Sequence, residues 1–128
     1  MAFIAKIDPV ETAIGQNIRI DERAMYGGNS ISPGDRIFIW TSETSGGRGL
    51  TAAGRVSSVT FNGSRVAAEV LVEATVRRQI GLNEISPYRD VEEVSPESEI
   101  ARLLYRQAHN KVAALDEPSR EFLEGHFS

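Results

Sequence analysis

The residues best suited to chemistry in this sequence are aromatic rings and guanidinium groups set beside glycine-rich turns. Trp40, the only tryptophan, ends an apolar run and is followed by Thr41, Ser42 and the loop from Glu43 to Arg48. An indole there can stack on a flat ligand while the Thr41 and Ser42 hydroxyls, or a backbone group, read the ligand edge. Tyr26, beside Gly27 and Gly28, and Tyr88, after Pro87, offer a second aromatic wall. Asn29 adds an amide on the Tyr26 turn. Arg48 lies in Ser45-Gly46-Gly47-Arg48-Gly49, where a mobile flap would carry it to the mouth of a pocket.

Other chemistries have little support. Cysteine is absent, which excludes disulfides, thiolate catalysis and cysteine metal sites and fits a reducing compartment; the cytoplasm is the expected location. His109 and His126 lack the spaced partners of a zinc site, so neither a metal nor a cofactor is expected. The carboxylate pairs Asp21-Glu22 and Glu92-Glu93 are adjacent and solvated, and no catalytic residue is assigned. The glycine-rich loop has no Gly-Lys-Ser/Thr ending and no following helix, so it is not a phosphate-binding fingerprint.

A length of 128 residues, with 41% hydrophobic and 25% charged side chains, predicts one globular domain spanning 1–128 with no membrane span and no secretory leader. The net charge of −4 argues against non-specific coating of nucleic acid. The charge is unevenly spread. Residues 36–78 carry six basic against three acidic side chains, whereas 79–128 carry five against ten. Of the 14 basic residues only Lys6 and Lys111 are lysine, so the cations are mainly planar forks suited to phosphate, carboxylate or a base edge.

The elements that must position these groups read as a β-meander followed by helices. Ala2 to Ile7 is an N-terminal strand. Pro33-Gly34-Asp35 turns into the strand Arg36 to Ser42, apolar on both faces, with Ile37 and Ile39 opposed to Phe38 and Trp40. The next strand, Gly49 to Phe61, puts Leu50, Ala52, Gly54 and Val56 on one face and changes phase near Ser57 and Ser58, the mark of a bulge. Asn62-Gly63 predicts a type I′ hairpin into Arg65 to Val76, where Val66 through Val76 alternate inward. Asp8 to Ser32 is loop-rich, with a short edge strand at Asn17 to Ile20 and a turn at Tyr26 to Asn29. Ser95-Pro96 starts an amphipathic helix carrying Ile100, Leu103, Leu104 and Ala108 on one stripe; a short strand, Lys111 to Leu115, precedes a brief helix capped by Asp116. Long strands with small residues at the bends predict an α+β fold, a small, mostly antiparallel β-barrel with peripheral helices.

Three segments carry a resemblance. IAKIDP (Ile4 to Pro9), PGDRIFIWTS (Pro33 to Ser42) and RGLTAAGRV (Arg48 to Val56) resemble the successive strands of PUA-like domains of the EVE and ASCH type, and KVAALDEPSREFL resembles their tail. The likeness implies a barrel whose cleft binds RNA or a flipped, modified nucleobase, and it carries over Trp40, Thr41 and Ser42 as cleft residues. Tyr26, Asn29 and Arg48 join them from loop chemistry alone. The tryptophan and arginine-asparagine segment of EVE domains has no counterpart in Asp8 to Ser32, and Asp8 replaces their glutamate.

The leading expectation is therefore a binding module rather than an enzyme, taking an extruded or single-stranded base between aromatic walls, with arginines on the flanking phosphates. A small RNA-acting hydrolase of the ASCH type is the alternative, with Glu43 or Asp21 as general base. A third is a protein-interaction module built on Phe122, Leu123 and Phe127. The sequence leaves the oligomeric state open.

Overall fold

The computed structural model describes all residues, Met1–Ser128. Six strands form one sheet: β1 (Ala2–Ile7), β2 (Asn17–Arg23), β3 (Arg36–Thr41), β4 (Gly49–Asn62), β5 (Arg65–Thr75) and β6 (Lys111–Leu115). Their spatial order is β2-β5-β4-β3-β1-β6, with β1 and β3 parallel and the other pairs antiparallel. The sheet curls until its two edges meet. There Ala24 bridges Val112, the Met25 N–H donates to Val112 O at 2.9 Å, and the Ala114 N–H donates to Tyr26 O at 3.3 Å.

β1 and β3 are central strands covered on both faces, as their double-sided apolar patterns require. Phe3, Ala5, Ile7, Ile37 and Ile39 point into the barrel core with Val66, Val70 and Val72. Ile4, Phe38 and Trp40 point outward under the helices and pack with Leu50, Ile100 and Leu104. Each such fully buried aliphatic or aromatic side chain contributes roughly 1.5–3 kcal/mol.

Three helices cover that outer face: α1 (Leu82–Ile85), α2 (Pro96–Tyr105) and α3 (Glu117–Glu124). Ser95 caps α2, its hydroxyl accepting from the Ser98 N–H at 3.1 Å, and Asp116 caps α3 by accepting from Ser119 N–H at 2.9 Å. α2 stops at Tyr105, so Ala108 lies beyond it and is exposed rather than on the buried stripe. Leu123 is buried and Phe122 and Phe127 pack on the same cluster, with Phe127 5.9 Å from Phe38 between ring centres. The apolar residues of the tail thus close the barrel's outer core instead of forming a free docking face.

The bulges fall where small and polar residues interrupt the apolar alternation, and they reassign faces. The shift near Ser57 is present, between Val56 and Ser58. Two more were not legible. One between Ile39 and Trp40 leaves Thr51 without an opposite residue, which sends Leu50 to the helix side while Ala52 and Val56 face the barrel. The other, between Ala53 and Gly54, turns Val76 to the helix side although Val72 faces inward. The hairpin loop is Gly63-Ser64, with Asn62 still paired to Arg65. Only Gly63 has positive φ there, 62°, the type II′ pattern, because type I′ needs it at both central residues.

Closure of the barrel depends on one close backbone approach. A Cβ added at Gly28 would lie 1.9 Å from Val112 O, the acceptor of the closing hydrogen bond. We expect Gly28→Ala to lower the unfolding free energy by about 2–4 kcal/mol. Denaturant unfolding checks this, and wild-type stability in that variant would show that the two edges need not touch.

Candidate functional site: the α2 end and the Tyr26 groove

The C-terminal end of α2 leaves orphan carbonyls that no helical N–H can reach. The chain's two lysines supply the missing donors. Lys6 and Lys111 are opposite residues of β1 and β6, 2% and 0% exposed, with both ammonium groups under the helix end. Lys6 Nζ donates to Leu104 O at 3.0 Å and to Ala108 O at 3.4 Å; Lys111 Nζ donates to Leu103 O at 2.6 Å and to Gln107 O. A cation suits the negative end of a helix dipole. Burial, and then the charge of Lys6, push the Lys111 amine down to about 8. Burial likewise lowers Lys6, against the opposing pull of Glu43.

Beside this anchor sits a polar knot centred on Glu43, in the 3-10 turn Glu43–Ser45 after β3. Its carboxylate accepts from the Leu82 N–H at 2.6 Å and from the Tyr105 hydroxyl at 3.0 Å. Trp40 Nε1 donates to the Tyr105 oxygen at 3.0 Å and lies 3.4 Å from Glu43 Oε1. Burial and the nearby Glu43 charge push the Tyr105 phenol far above its ordinary range. Lys6 Nζ lies 4.9 Å from the centre of the Tyr105 ring, within cation–π range. The knot ties β3, α1 and α2 together.

Trp40 is therefore a core residue. Its side chain is 0% exposed, packed edge-on to Tyr105 at 6.2 Å, and its N–H is already engaged. It does not face an open cleft. Thr41 and Ser42 are also buried and fix the loop that follows: the Thr41 hydroxyl donates to Gly49 O and accepts from the Arg48 N–H, and Ser42 O accepts from the Gly47 N–H at 2.7 Å. Gly47 passes so close that a Cβ would lie 2.5 Å from the Thr41 carbonyl carbon. Arg48 is exposed and borders a cavity of about 290 Å³ with Glu43, Gln79, Leu82 and Asn83. Of the general-base candidates, Glu43 has its oxygens occupied by three donors, and Asp21 pairs with Arg65 at 3.1 Å on the exposed strand face.

Tyr26 lies elsewhere, on a different side of α2. The residue is 45% exposed and borders a cavity of about 470 Å³ between α2 and β6, floored by Leu103, Ala114 and Leu115. Arg102, Arg106, Glu99 and Asp116 surround it. Arg102 pairs with Glu99 at 3.3 Å, and Arg106 donates to Arg89 O at 3.2 Å. Tyr26 has φ 49°, a left-handed backbone that bulky residues rarely adopt and that costs roughly 1–3 kcal/mol. The barrel-closing hydrogen bonds of Met25 and Tyr26 to β6 hold it there. Asn29 is exposed on the same turn, Gly28–Ser30, while Tyr88 belongs to the separate turn Ser86–Tyr88. The six residues singled out from the sequence thus divide among the core, the Arg48 cavity and the Tyr26 turn. Sequence reasoning passed over Leu103, Arg106 and the lysine pair as functional positions; two lone lysines on facing apolar strands were the available signal.

Over nearly the whole chain this architecture is similar to that of two solved structures. One is human THYN1 protein in complex with 5-methylcytosine-containing DNA, with TM-score 0.64, 12% identity, and coverage of 98% of this chain and 96% of that one. The other is the DUF55 domain of human thymocyte nuclear protein 1, with TM-score 0.65, 10% identity and coverage of 98% and 97%. The fold is PUA-like. No protein-family model and no curated protein matches the sequence. The expected PUA-like barrel is thus present, and the short strands read at Asn17 to Ile20 and Lys111 to Leu115 are β2, which extends on to Arg23, and β6, the two edges that meet to close it. No helix is long and apolar enough to cross a membrane.

Two consequences are measurable. Glu43→Gln replaces one acceptor oxygen by a donor in a knot that receives three donors, and should cost about 1–3 kcal/mol of unfolding free energy; an unchanged denaturation midpoint would contradict the knot. Lys111 titrates near 8 in the fold but at the ordinary lysine value, 10.5, when unfolded. Between those values the unfolded chain binds more protons, so stability rises with pH across that window, and the burial penalty is present in full below it. Chemical denaturation from pH 7.5 to 10 should show this rise in the wild type relative to Lys111→Met.

Proposed function

We propose that this protein binds nucleic acid by accepting one unstacked, modified base in the Tyr26 groove. The observation that carries the reading is the groove itself: a half-exposed aromatic ring in a strained turn, an apolar floor of Leu103, Ala114 and Leu115, and the guanidinium groups of Arg102 and Arg106. Its volume, about 470 Å³, is in the range of small-ligand sites. The Tyr26 ring stacks on the base. The carboxylates of Glu99 and Asp116 accept from an exocyclic amine, as acidic side chains do from cytosine, and the apolar floor receives a methyl group. The likeness in fold to a domain solved with 5-methylcytosine-containing DNA supports a base of this class.

Base-on-aromatic stacking supplies about 1–3 kcal/mol, comparable with the few kcal/mol needed to unstack a base. Net affinity then comes from arginine contacts to the flanking phosphates, so binding is weak to moderate and salt-sensitive. The exposed Arg106 is the natural phosphate contact.

Fluorescence anisotropy with labelled single-stranded and duplex oligonucleotides, with and without one 5-methylcytosine, tests the reading. At low salt the modified oligonucleotide should bind more tightly, and Tyr26→Ala should weaken binding about 5- to 100-fold. Arg106→Gln should lower the slope of log K against log salt by about 0.7–0.9. Absence of binding by any oligonucleotide at low salt would refute the proposal; preference for an RNA version would reassign the strand type.

A further inference from the structure

Lys111 differs from its neighbour Lys6 in one respect. Both ammonium groups hold carbonyls at the end of α2. Lys6 lies over Tyr105, inside the core. Lys111 Nζ lies 5.9 Å from the centre of the Tyr26 ring, at the edge of cation–π range. One buried cation therefore links the two walls of the groove: it donates to the carbonyl oxygen of Leu103, on α2, and lies over the ring of Tyr26, on the barrel-closing turn. Lys111 itself has no exposed surface and cannot meet a ligand.

We propose that Lys111 is a positioning residue that sets the distance between Tyr26 and α2, and with it the width of the groove. The inference deepens the nucleic-acid reading and rests on it for its functional meaning, but the clamp itself exists in the free protein. A buried, fixed ammonium is a harder spacer than an apolar side chain, because it is held on the α2 side by two carbonyls and faces the electron-rich Tyr26 ring on the other. Loss of the charge should loosen the Tyr26 turn and its seam with β6 while the pairings within the six-stranded sheet and the Lys6 anchor remain. Arg102, next to Leu103 on α2, and Arg106, the residue just past its end, would move with it.

Amide hydrogen exchange on the free protein separates this from simple helix anchoring. Lys111→Met and Lys6→Met each remove one buried cation from the same helix end, so both lose stability and both serve as folded comparisons for the other. The amides of Met25, Gly28 and Ala114 hold the Tyr26 turn and its contact with β6. In Lys111→Met they should exchange about tenfold faster than in wild type, once corrected for global stability, and in Lys6→Met they should keep the wild-type rate. Affinity for the 5-methylcytosine oligonucleotide should fall about tenfold in Lys111→Met with the salt slope unchanged, since Lys111 reaches no phosphate, and should hold in Lys6→Met. Equal exchange in the two variants, or no change in Lys111→Met, would overturn the clamp. If the wild type binds no oligonucleotide, the nucleic-acid reading falls while the exchange data still decide the role of Lys111.

Discussion

The end of α2 is the constraint on which the rest of this fold depends. A helix laid across a sheet must bury its last carbonyls or expose them, and here they are buried over β1 and β6. Unpaired, each would cost about 1–3 kcal/mol. Two ammonium groups arriving from below satisfy them, at the expense of desolvating two like charges side by side. The arrangement is stable only because each cation has several partners: carbonyls, an aromatic face, and for Lys6 the field of Glu43. Arginine could not replace lysine simply, since its wide planar fork does not fit a point contact with converging carbonyls.

From that anchor two regions diverge. Towards Glu43 the polar groups saturate one another. Trp40, Tyr105 and the Leu82 N–H converge on one carboxylate, leaving little capacity for a substrate. A network of this type rigidifies the junction of β3, α1 and α2. Towards Tyr26 the surface is more open: a ring in a left-handed turn, an apolar floor and charged side chains around the cavity. Backbone strain and exposed aromatic surface coincide on that side, and these are the features the proposed binding role uses.

Tyr26 owes its conformation to barrel closure. The turn after β2 must reach β6 for the sheet edges to meet, and the close approach at Gly28 fixes how near it comes. The strand pairing that completes the barrel is thus the same contact that holds the aromatic wall of the groove, and a binding role for Tyr26 needs no element beyond those that form the fold.

Much of this was legible locally. The alternation in Arg65 to Val72, the double-sided apolar strand β3, the Ser95-Pro96 and Asp116 caps and the hairpin at Gly63 are written in neighbouring residues, because period-2 patterns, capping side chains and glycine conformations act over a few positions. The bulges at Thr51 and between Ala53 and Gly54 were not, since they depend on how a curling sheet must shift register to close. Trp40 shows the limit most clearly. Its sequence neighbours make it a strand-end aromatic, and only Tyr105, 65 residues away, decides that its N–H is satisfied inside the core. Sequence by itself determined the elements and the supply of aromatic and cationic groups; tertiary structure decided which ring meets solvent, because burial is set by long-range partners that local chemistry cannot name.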